Sequence, residues 1–370
     1  MKIVIATSGR AHLLDCAREL EKQGNEIVFF TYSPSKNFKR YGLKKGGRSL
    51  LYLMAPFEFI KRKFWCLQTW RLASFMLDKY VSFLMPKCDV FIAQSPYFSK
   101  SILRAKKKYK ATVILDRGTS HVLTYNHILG KIGIERQWQW YINHDMQQYK
   151  MADFIAIASD FVRDSFLEYG VSDKKLFFNP YGVSLDCFHP TVWTGEYDCI
   201  CVGQWSKRKG SHLIAAAFEN TDVRVLHVGA IVDVDFPQSS NFTHIDSVPE
   251  TQLPNYYSKA KVFLFPSFED GFGLVLCQAI ACGLPIICST NTGGPTLKRL
   301  LNVNNQILVM QTLTSDSIKE AYFSIQKTIV NDGNVRTYVN AKILHNILSW
   351  DNYGKRYNEF LKNVINETLH

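Results

Sequence analysis

The residues best suited to chemistry lie in two short stretches of the second half of the chain. The first is Phe265–Pro295, FPSFEDGFGLVLCQAIACGLPIICSTNTGGP. Val262–Phe265 is an apolar run that fits a buried parallel strand, and Pro266-Ser267 breaks it. Asp270 then stands at the mouth of the turn Gly271-Phe272-Gly273, where the lack of a Cβ lets backbone approach a ligand closely. Leu274–Cys282 reads as a helix, with Gly283 as its stop and Pro285 just beyond. A glycine turn that opens a helix offers backbone N–H groups and the positive end of the dipole, a setting that favours an anion. The second stretch is the basic turn Gly203–Gly210, GQWSKRKG. It lies between a strand at Tyr197–Val202 and a helix at Ser211–Phe218, and it carries Lys207, Arg208 and Lys209. The plainer alternatives are an ordinary strand–turn–helix unit and an exposed basic turn.

A third polar cluster, Asp116–His121, follows a strand expected at Ala111–Leu115. Polar residues at the C-terminal end of a parallel strand sit where ligands bind in such sheets. His121 is the candidate there; the alternative is a structural histidine, with His127 and His144 as nearby competitors.

Elements that would position these groups are legible in the pattern. Lys2–Ala6 reads as a strand, Thr7-Ser8-Gly9-Arg10 as a turn, and His12–Gln23 as an amphipathic helix with Leu13, Leu14, Ala17 and Leu20 on one face. Glu26–Tyr32 is a second strand, so the chain opens as a βαβ unit of a doubly wound α/β domain. Val90–Gln94, Ala152–Ala158 and Leu176–Asn179 are further strands, and Asp160–Tyr169 is a helix. After Pro190 a second βαβ series begins. It includes a strand at Val223–Val228 and a helix at Leu253–Ala260 that leads back into the Val262 strand.

With 370 residues and 46% hydrophobic content, the chain can build two domains with sizeable cores. No apolar run approaches the ~20 residues that span a bilayer, and MKIVIATSGR reads as a strand and turn rather than a signal peptide. The nine cysteines show no metal-ligand spacing, and reduced cytosolic thiols are the expectation. The net charge of +12 is uneven: residues 1–185 carry +14 and the remainder −2. That asymmetry points to an anionic surface as partner. Within the basic half, Lys36–Trp70 interleaves Lys39, Arg40, Lys44, Lys45, Arg48, Lys61, Arg62 and Lys63 with aromatic and aliphatic residues, Trp65 among them. The pattern suits a segment lying on an anionic bilayer, each basic residue adding ~1 kcal/mol of attraction. The alternative is an excursion between strands whose aromatics pack inward. Lys106-Lys107-Lys108 and Lys110 would extend the basic surface.

The acid-Gly-Phe-Gly-Leu run with Ala279, Ala281, Cys282, Gly283, Pro285 and Gly293-Gly294 resembles the signature of retaining, nucleotide-sugar-dependent glycosyltransferases of family 4 (group 1). Ala152-Asp153, Ser159, Gly170-Val171, Pro180-Tyr181-Gly182-Val183 and Phe188-His189-Pro190 resemble the phrase that closes that family's N-terminal domain. Ser349–Gly354, led by Trp350, resembles the start of its last helix. The resemblance runs from about residue 110 to the end and more weakly over the first 35 residues.

It implies the GT-B architecture, two Rossmann-like doubly wound domains facing a cleft. An acceptor domain would cover residues 1–188, completed by a helix at about 351–370, and a donor domain residues 189–350. It implies a sugar moved from a nucleoside diphosphate to a glycan or lipid-linked acceptor, in cell-surface polysaccharide or glycolipid assembly on the cytoplasmic side of a membrane. Asp270 would lie beside the sugar, acting chemically or positioning it, and His121 would contact the donor sugar. Lys209 falls on the family lysine that holds the diphosphate. Arg208 would stand in for the family arginine, which is Gln204 here. Gly203, Gly271, Phe272, Gly273, Leu274 and Val275 would line the donor site, and Gly9 and Arg10 the N-terminal cleft loop. Gln278 occupies the place of the acid that holds the ribose hydroxyls. It keeps hydrogen-bonding capacity but loses charge assistance of about 1 kcal/mol. No metal or other cofactor is implied.

Gln278 and Gln204 also support a second class, a catalytically silent GT-B module that binds a nucleotide sugar or supports a partner transferase. A dinucleotide-dependent oxidoreductase would need a Gly-x-Gly-x-x-Gly turn after the first strand, which Thr7–His12 lacks. The basic half permits nucleic-acid binding, but no recognised motif supports it.

Overall fold

A computed structural model describes residues 1–9, 12–64, 66–303, 306–332, 336 and 338–369. Arg10 and Trp65 lie outside the described residues. Two parallel sheets organise the chain. The first holds β1 (Lys2–Ala6), β2 (Glu26–Thr31), β3 (Gly47–Ser49), β4 (Val90–Gln94), β5 (Thr112–Asp116), β6 (Phe154–Ile157) and β7 (Leu176–Phe178). Its order is β3-β2-β1-β4-β5-β6-β7. The second holds β8 (Tyr197–Val202), β9 (Val225–Val228), β10 (Phe242–Ile245), β11 (Ala260–Phe265), β12 (Ile286–Ser289) and β13 (Ile307–Met310), in the order β10-β9-β8-β11-β12-β13. The two Rossmann-like series expected from the sequence are therefore both present.

Strand order decides where ligands can sit. In the first sheet the chain winds outward from β1 to β3, then returns to β4 on the other side of β1. Ile3 pairs with Ile27 on one flank and Val90 on the other. In the second sheet the same reversal falls between β8 and β11, where Cys199 pairs with Val225 on one side and Val262 on the other. Crevices open outside the carboxyl ends of strands at such reversals. Both loops singled out in the sequence, Gly203–Gly210 after β8 and Pro266–Gly273 after β11, lie at the second one.

Apolar strands explain the layering. IVIA of β1 and FLF of β11 are buried on both faces, as helix-covered parallel sheets require. One hydrophobic cluster runs through both halves and contains Leu13, Tyr181, Phe188, Tyr257, Phe272 and Tyr353. The last helix, Trp350–Leu369, buries Tyr353, Tyr357 and Leu361 in that cluster, beside the helix Leu13–Lys22 of the first half.

The segment after β2 differs most from a surface excursion. Lys36–Arg40 is one short helix, β3 follows, and then Leu51–Lys63 and Leu67–Leu84 form a helical hairpin. Only part of its apolar content is buried: Met54, Ala73, Leu77 and Val81 face inward, while Tyr52, Phe59, Phe64 and Phe83 are exposed. β5 starts one residue later than its apolar run suggests. Ala111 N–H donates to Ala105 O at 3.1 Å and still belongs to the preceding turn, in which Lys110 has φ +57°. Lys106 is bound there to Asp153 and the Met151 carbonyl, so it is a paired residue rather than a solvated cation. All nine cysteines are unpaired thiols. Among the described residues, no helix is long and apolar enough to cross a membrane.

Candidate active site

Asp270 gathers the site. β11 ends at Phe265, and the turn that follows brings Asp270 against Lys209, whose ammonium pairs with Asp270 Oδ2. The second oxygen, Oδ1, accepts from Phe272 N–H at 3.2 Å, and Asp270 N–H donates to Asn291 O at 3.0 Å. Burial would raise the Asp270 carboxyl, but Lys209, then Arg208 and the Phe272 amide, bring it below the usual carboxylate range. It is therefore held as a carboxylate. Lys209 reaches it from the β8 turn, with its ammonium 4.8 Å above the Phe265 ring.

Arg208 is fixed by the backbone of the same loop. Its Nη1 donates to Glu269 O at 2.7 Å, and its own carbonyl accepts from Phe268 N–H at 2.9 Å. Two cations from one turn thus face two adjacent acids of the other, Lys209 paired with Asp270 and Arg208 next to Glu269. Gly203 stands at the end of β8, with its N–H on Val228 O at 2.9 Å; Gln204 beside it is exposed. Among the described residues, no group of three His, Cys, Asp or Glu side chains is placed to hold a metal ion.

The glycines of the turn are there for space and for backbone angle. A Cβ on Gly271 would stand 2.1 Å from Gly118 O and 2.8 Å from Thr119 Cα, atoms of the first half. Only a residue without a side chain lets the two halves meet this closely. Gly273 has φ +80° and opens the helix Leu274–Ala281, a backbone that L side chains rarely adopt. That helix is apolar nearly all round (LVLCQAIA), so it is buried from Leu276 to Ala281. Phe272 is 1% exposed and sits edge-on to Tyr181, so it joins the halves rather than lining open space. Leu274 and Val275 form the helix's half-buried first turn.

Gln278, on the same helix, is fully engaged. Its Oε1 accepts from Tyr257 Oη at 3.0 Å, and its Nε2 donates to Glu250 Oε1 at 3.2 Å. A carboxylate therefore stands beside the amide, brought from 28 residues upstream. No local pattern in the sequence singles out Glu250.

The structure does not bring His121 into the cleft. Its ring stacks on Tyr169 at 4.4 Å and packs against Tyr149 and Phe166, each at 5.0 Å, and the residue is 1% exposed. It heads the helix Val122–Lys131, where Nδ1 accepts from Leu123 N–H. Burial, then the nearby Arg117, lowers its pKa to about 4, so the ring is neutral. The physical reason is the helix start: a capping residue turns its side chain back onto its own helix. The histidine at the junction is His12. Its Nε2 lies 2.9 Å from Asp116 Oδ1, and its ring lies 4.0 Å from that of Tyr181, which in turn meets Phe272. The expected helix from His12 begins at Leu13 instead, leaving His12 at its entrance.

Glu269 is the residue whose role the sequence conceals. It is 0% exposed, and its Oε1 accepts from both Ser120 N–H and Ser120 Oγ at 3.0 Å. Oε2 lies 3.7 Å from Arg208 Nη1. Burial raises its pKa despite these partners. A buried acid here ties the loop after β11 to the loop after β5. Ser159 Oγ adds a bond to Gly271 O, and Asp160 takes Arg299 at 2.8 Å and Thr296. On the first-half side, Gly9 follows β1, and its carbonyl accepts from Thr31 Oγ1 at 2.8 Å.

Comparison with known proteins agrees with this geometry. The family described as Glycosyltransferase Family 4 matches residues 10–186, and the one described as Glycosyl transferases group 1 matches residues 196–322. The O-antigen chain mannosyltransferase B of Escherichia coli is 42% identical over 52 residues, 14% of this chain and 14% of that protein. The capsular polysaccharide biosynthesis glycosyltransferase CapM of Staphylococcus aureus is 25% identical over 184 residues, 44% of this chain and 46% of that one. The chain thus spans less than half the length of either relative. The crystal structure of Anabaena HepE in complex with UDP and glucose superposes with a TM-score of 0.69 at 11% identity, over 98% of this chain and 100% of that one, a likeness of fold. Matched in its first half by one glycosyltransferase family and in its second by another, and folded as two facing Rossmann-like halves, the chain belongs to the GT-B glycosyltransferases of family 4 and group 1.

Proposed function

We propose that the chain transfers a sugar from a nucleoside-diphosphate sugar to an acceptor hydroxyl, with retained configuration, in the assembly of a cell-surface polysaccharide or glycolipid. The observation that carries the reading is the pairing of Lys209 with Asp270, with Arg208 beside it, at the entrance of the helix Leu274–Ala281. As the bond to the sugar breaks, negative charge grows on the departing diphosphate. Cations and amides already fixed around it stabilise the transition state more than the ground state. Lys209, Arg208 and the amides around Gly273 and Leu274 supply that field, so the proposal assigns no metal. Asp270, kept ionised, faces the positive charge that develops on the sugar ring. Gln278 and Glu250 together hold the ribose. In this reading the half built on β8–β13 binds the donor and the half built on β1–β7 binds the acceptor.

The exposed Tyr52, Phe59 and Phe83, interleaved with exposed Arg62 and Lys63, support peripheral contact with an anionic membrane on the cytoplasmic face. Co-sedimentation with anionic vesicles tests this, and protein that stays in the supernatant at low salt refutes it. A silent nucleotide-sugar-binding module is the second reading, favoured by the exposed Gln204 and by Gln278.

Thermal-shift titration against UDP, GDP, dTDP and ADP sugars, followed by donor hydrolysis and NMR of the product anomer, tests the main reading. Selective stabilisation by one donor, with turnover lost in Lys209→Ala and Asp270→Asn, supports a transferase. Tight binding without turnover on any acceptor favours the silent module. An inverted product removes the retaining assignment.

A further inference from the structure

His12 and Asp116 form a polar pair at the C-terminal edge of the first sheet. Asp116, the last residue of β5, is 3% exposed, and among the described residues its carboxylate is bonded by one side chain, that of His12. Oδ1 lies 2.9 Å and Oδ2 3.0 Å from the same ring nitrogen, Nε2. A carboxylate only accepts, so Nε2 carries the proton, and Nδ1 of the neutral ring is left with a lone pair. Nδ1 has no hydrogen-bond partner among the described residues. His12 stands at the entrance of the helix Leu13–Lys22, yet its side chain does not cap that helix, whereas His121 spends its Nδ1 on Leu123 N–H. The His12 side chain is 12% exposed, so the ring is not sealed off.

The pair borders the junction of the halves. A Cβ on Gly118 would stand 3.9 Å from His12 Cε1 and 3.5 Å from Tyr181 Oη, and the Gly118 carbonyl is the atom that meets Gly271. Tyr181, 6% exposed, lays its ring 4.0 Å from that of His12, and its hydroxyl is buried without a hydrogen-bond partner. Burial, then Asp116 and Asp270, raises this phenol well above its usual range, so it keeps its proton. An unused O–H donor and an unused lone pair therefore sit side by side, between Asp116 of one half and Asp270 of the other. One ligand hydroxyl could accept from the first and donate to the second. The remaining bases of the junction are engaged. Against the upward pull of burial, Lys209 and then Arg208 hold Asp270 below the usual carboxylate range, which makes it a weak base. Glu269 accepts twice from Ser120 and turns its other oxygen to Arg208. Lys209 and Arg208 would also lower the basicity of any diphosphate that they hold.

We propose that His12 is the general base of the transfer, taking the proton of the attacking hydroxyl on Nδ1 while Asp116 orients the ring. The inference rests on the transferase reading. The attacking oxygen forms its bond to the anomeric carbon of the donor sugar. The bond from that carbon to the diphosphate breaks, and its electron pair leaves with the diphosphate. The hydroxyl proton moves to His12, which becomes an imidazolium already paired through Nε2–H with Asp116, and solvent takes the proton once the products have left. Asp116 is a positioning residue: it fixes the tautomer and the ring plane and does not itself meet the substrate.

Donor hydrolysis by the full chain, with water as the attacking hydroxyl, tests this on whichever of the UDP, GDP, dTDP and ADP sugars turns over. His12→Gln keeps an N–H for Asp116 and removes the base. It should lower kcat by about 100-fold or more while the donor Kd stays within about twofold. In His12→Ala, added imidazole should restore turnover in a concentration-dependent way, which a purely structural loss would not allow. Asp116→Asn should lower kcat by about tenfold or more, again with donor Kd held, and imidazole should not restore it. His12→Gln carries the test if His12→Ala does not fold. Turnover in His12→Gln within about threefold of the parent, donor affinity lost together with turnover, or a folded His12→Ala that imidazole leaves inactive overturns the inference and leaves the transferase. A parent that turns over no donor removes the transferase reading, and the base with it.

Discussion

Removing the Lys209 ammonium should expose how much of the site depends on one ion pair. The side chains of Lys209 and Asp270 are 18% and 19% exposed. That places the pair between surface salt bridges, worth about 0–1 kcal/mol, and fully buried ones, whose disruption costs about 3–5 kcal/mol. We expect Lys209→Ala to destabilise the protein by ~1–3 kcal/mol at pH 7. The pH dependence identifies the cause. Asp270 has a folded pKa below its unfolded value of about 3.9, so its contribution is present above that value and is lost as pH falls through the folded pKa. In Lys209→Ala, burial is no longer offset by the ammonium and the pKa rises. The deficit against the parent should then be largest near neutral pH, shrink as pH falls through the variant's raised pKa, and close only below the parent's folded pKa. Urea unfolding at several pH values measures it, and a double-mutant cycle with Asp270→Asn isolates the pair. In the Asp270→Asn background, Lys209→Ala should cost less than about 0.5 kcal/mol. A deficit that is flat from about pH 7.5 to 4, or fully additive substitutions, would refute the coupling and with it the carboxylate state of Asp270.

Two further expectations follow from packing. Gly271→Ala places a methyl 2.1 Å from Gly118 O, so the halves must separate locally; donor turnover should fall by about tenfold or more, at about 1–3 kcal/mol for a forced backbone shift, and unchanged kinetics would show that the close approach is dispensable. His121→Asn keeps a helix-capping side chain but deletes the ring among Tyr149, Phe166 and Tyr169; it should lower stability by about 1–2 kcal/mol while leaving donor KM within about twofold, and a large rise in donor KM would return His121 to the cleft.

Local signals made much of this legible. β1, β4 and β8 fall where apolar runs bounded by turns place them, because a parallel strand buried on both faces needs a near-continuous apolar run. Asp270, Arg208 and Lys209 stand out as candidates because a glycine turn and a basic turn each mark the end of such a strand. What stayed hidden depends on distance in sequence. Glu269 sits next to Asp270 and looks equivalent to it, and only the fold shows that one faces Lys209 and the other Ser120, 149 residues away. Glu250 reaches Gln278 from an unremarkable turn, and His12 reaches Asp116 across 104 residues. For the helices Leu51–Lys63 and Leu67–Leu84 the sequence leaves two readings open for another reason. The two helices each bury one stripe and expose aromatics on the other, so periodicity alone could not separate an interfacial segment from a packed one.

The ties between the halves suggest why so many of these hidden residues converge on one junction. Ser120, Gly118 and Ser159 of the first half all meet the chain between Glu269 and Gly271, the three residues that also carry the site's acid. Any ligand that shifts Asp270 must therefore shift Glu269 and Gly271, because the turn is too short to move in parts. Glu269 is buried with a raised pKa, so its carboxylate is tolerated only while Ser120 and Arg208 stay in place. Pulling the halves apart would strand that acid without its donors, at about 1–3 kcal/mol for each unsatisfied group. The contact therefore favours the closed arrangement before any ligand binds. The two strand reversals are then held in one geometry by a buried acid, Glu269, of one half against Ser120 of the other.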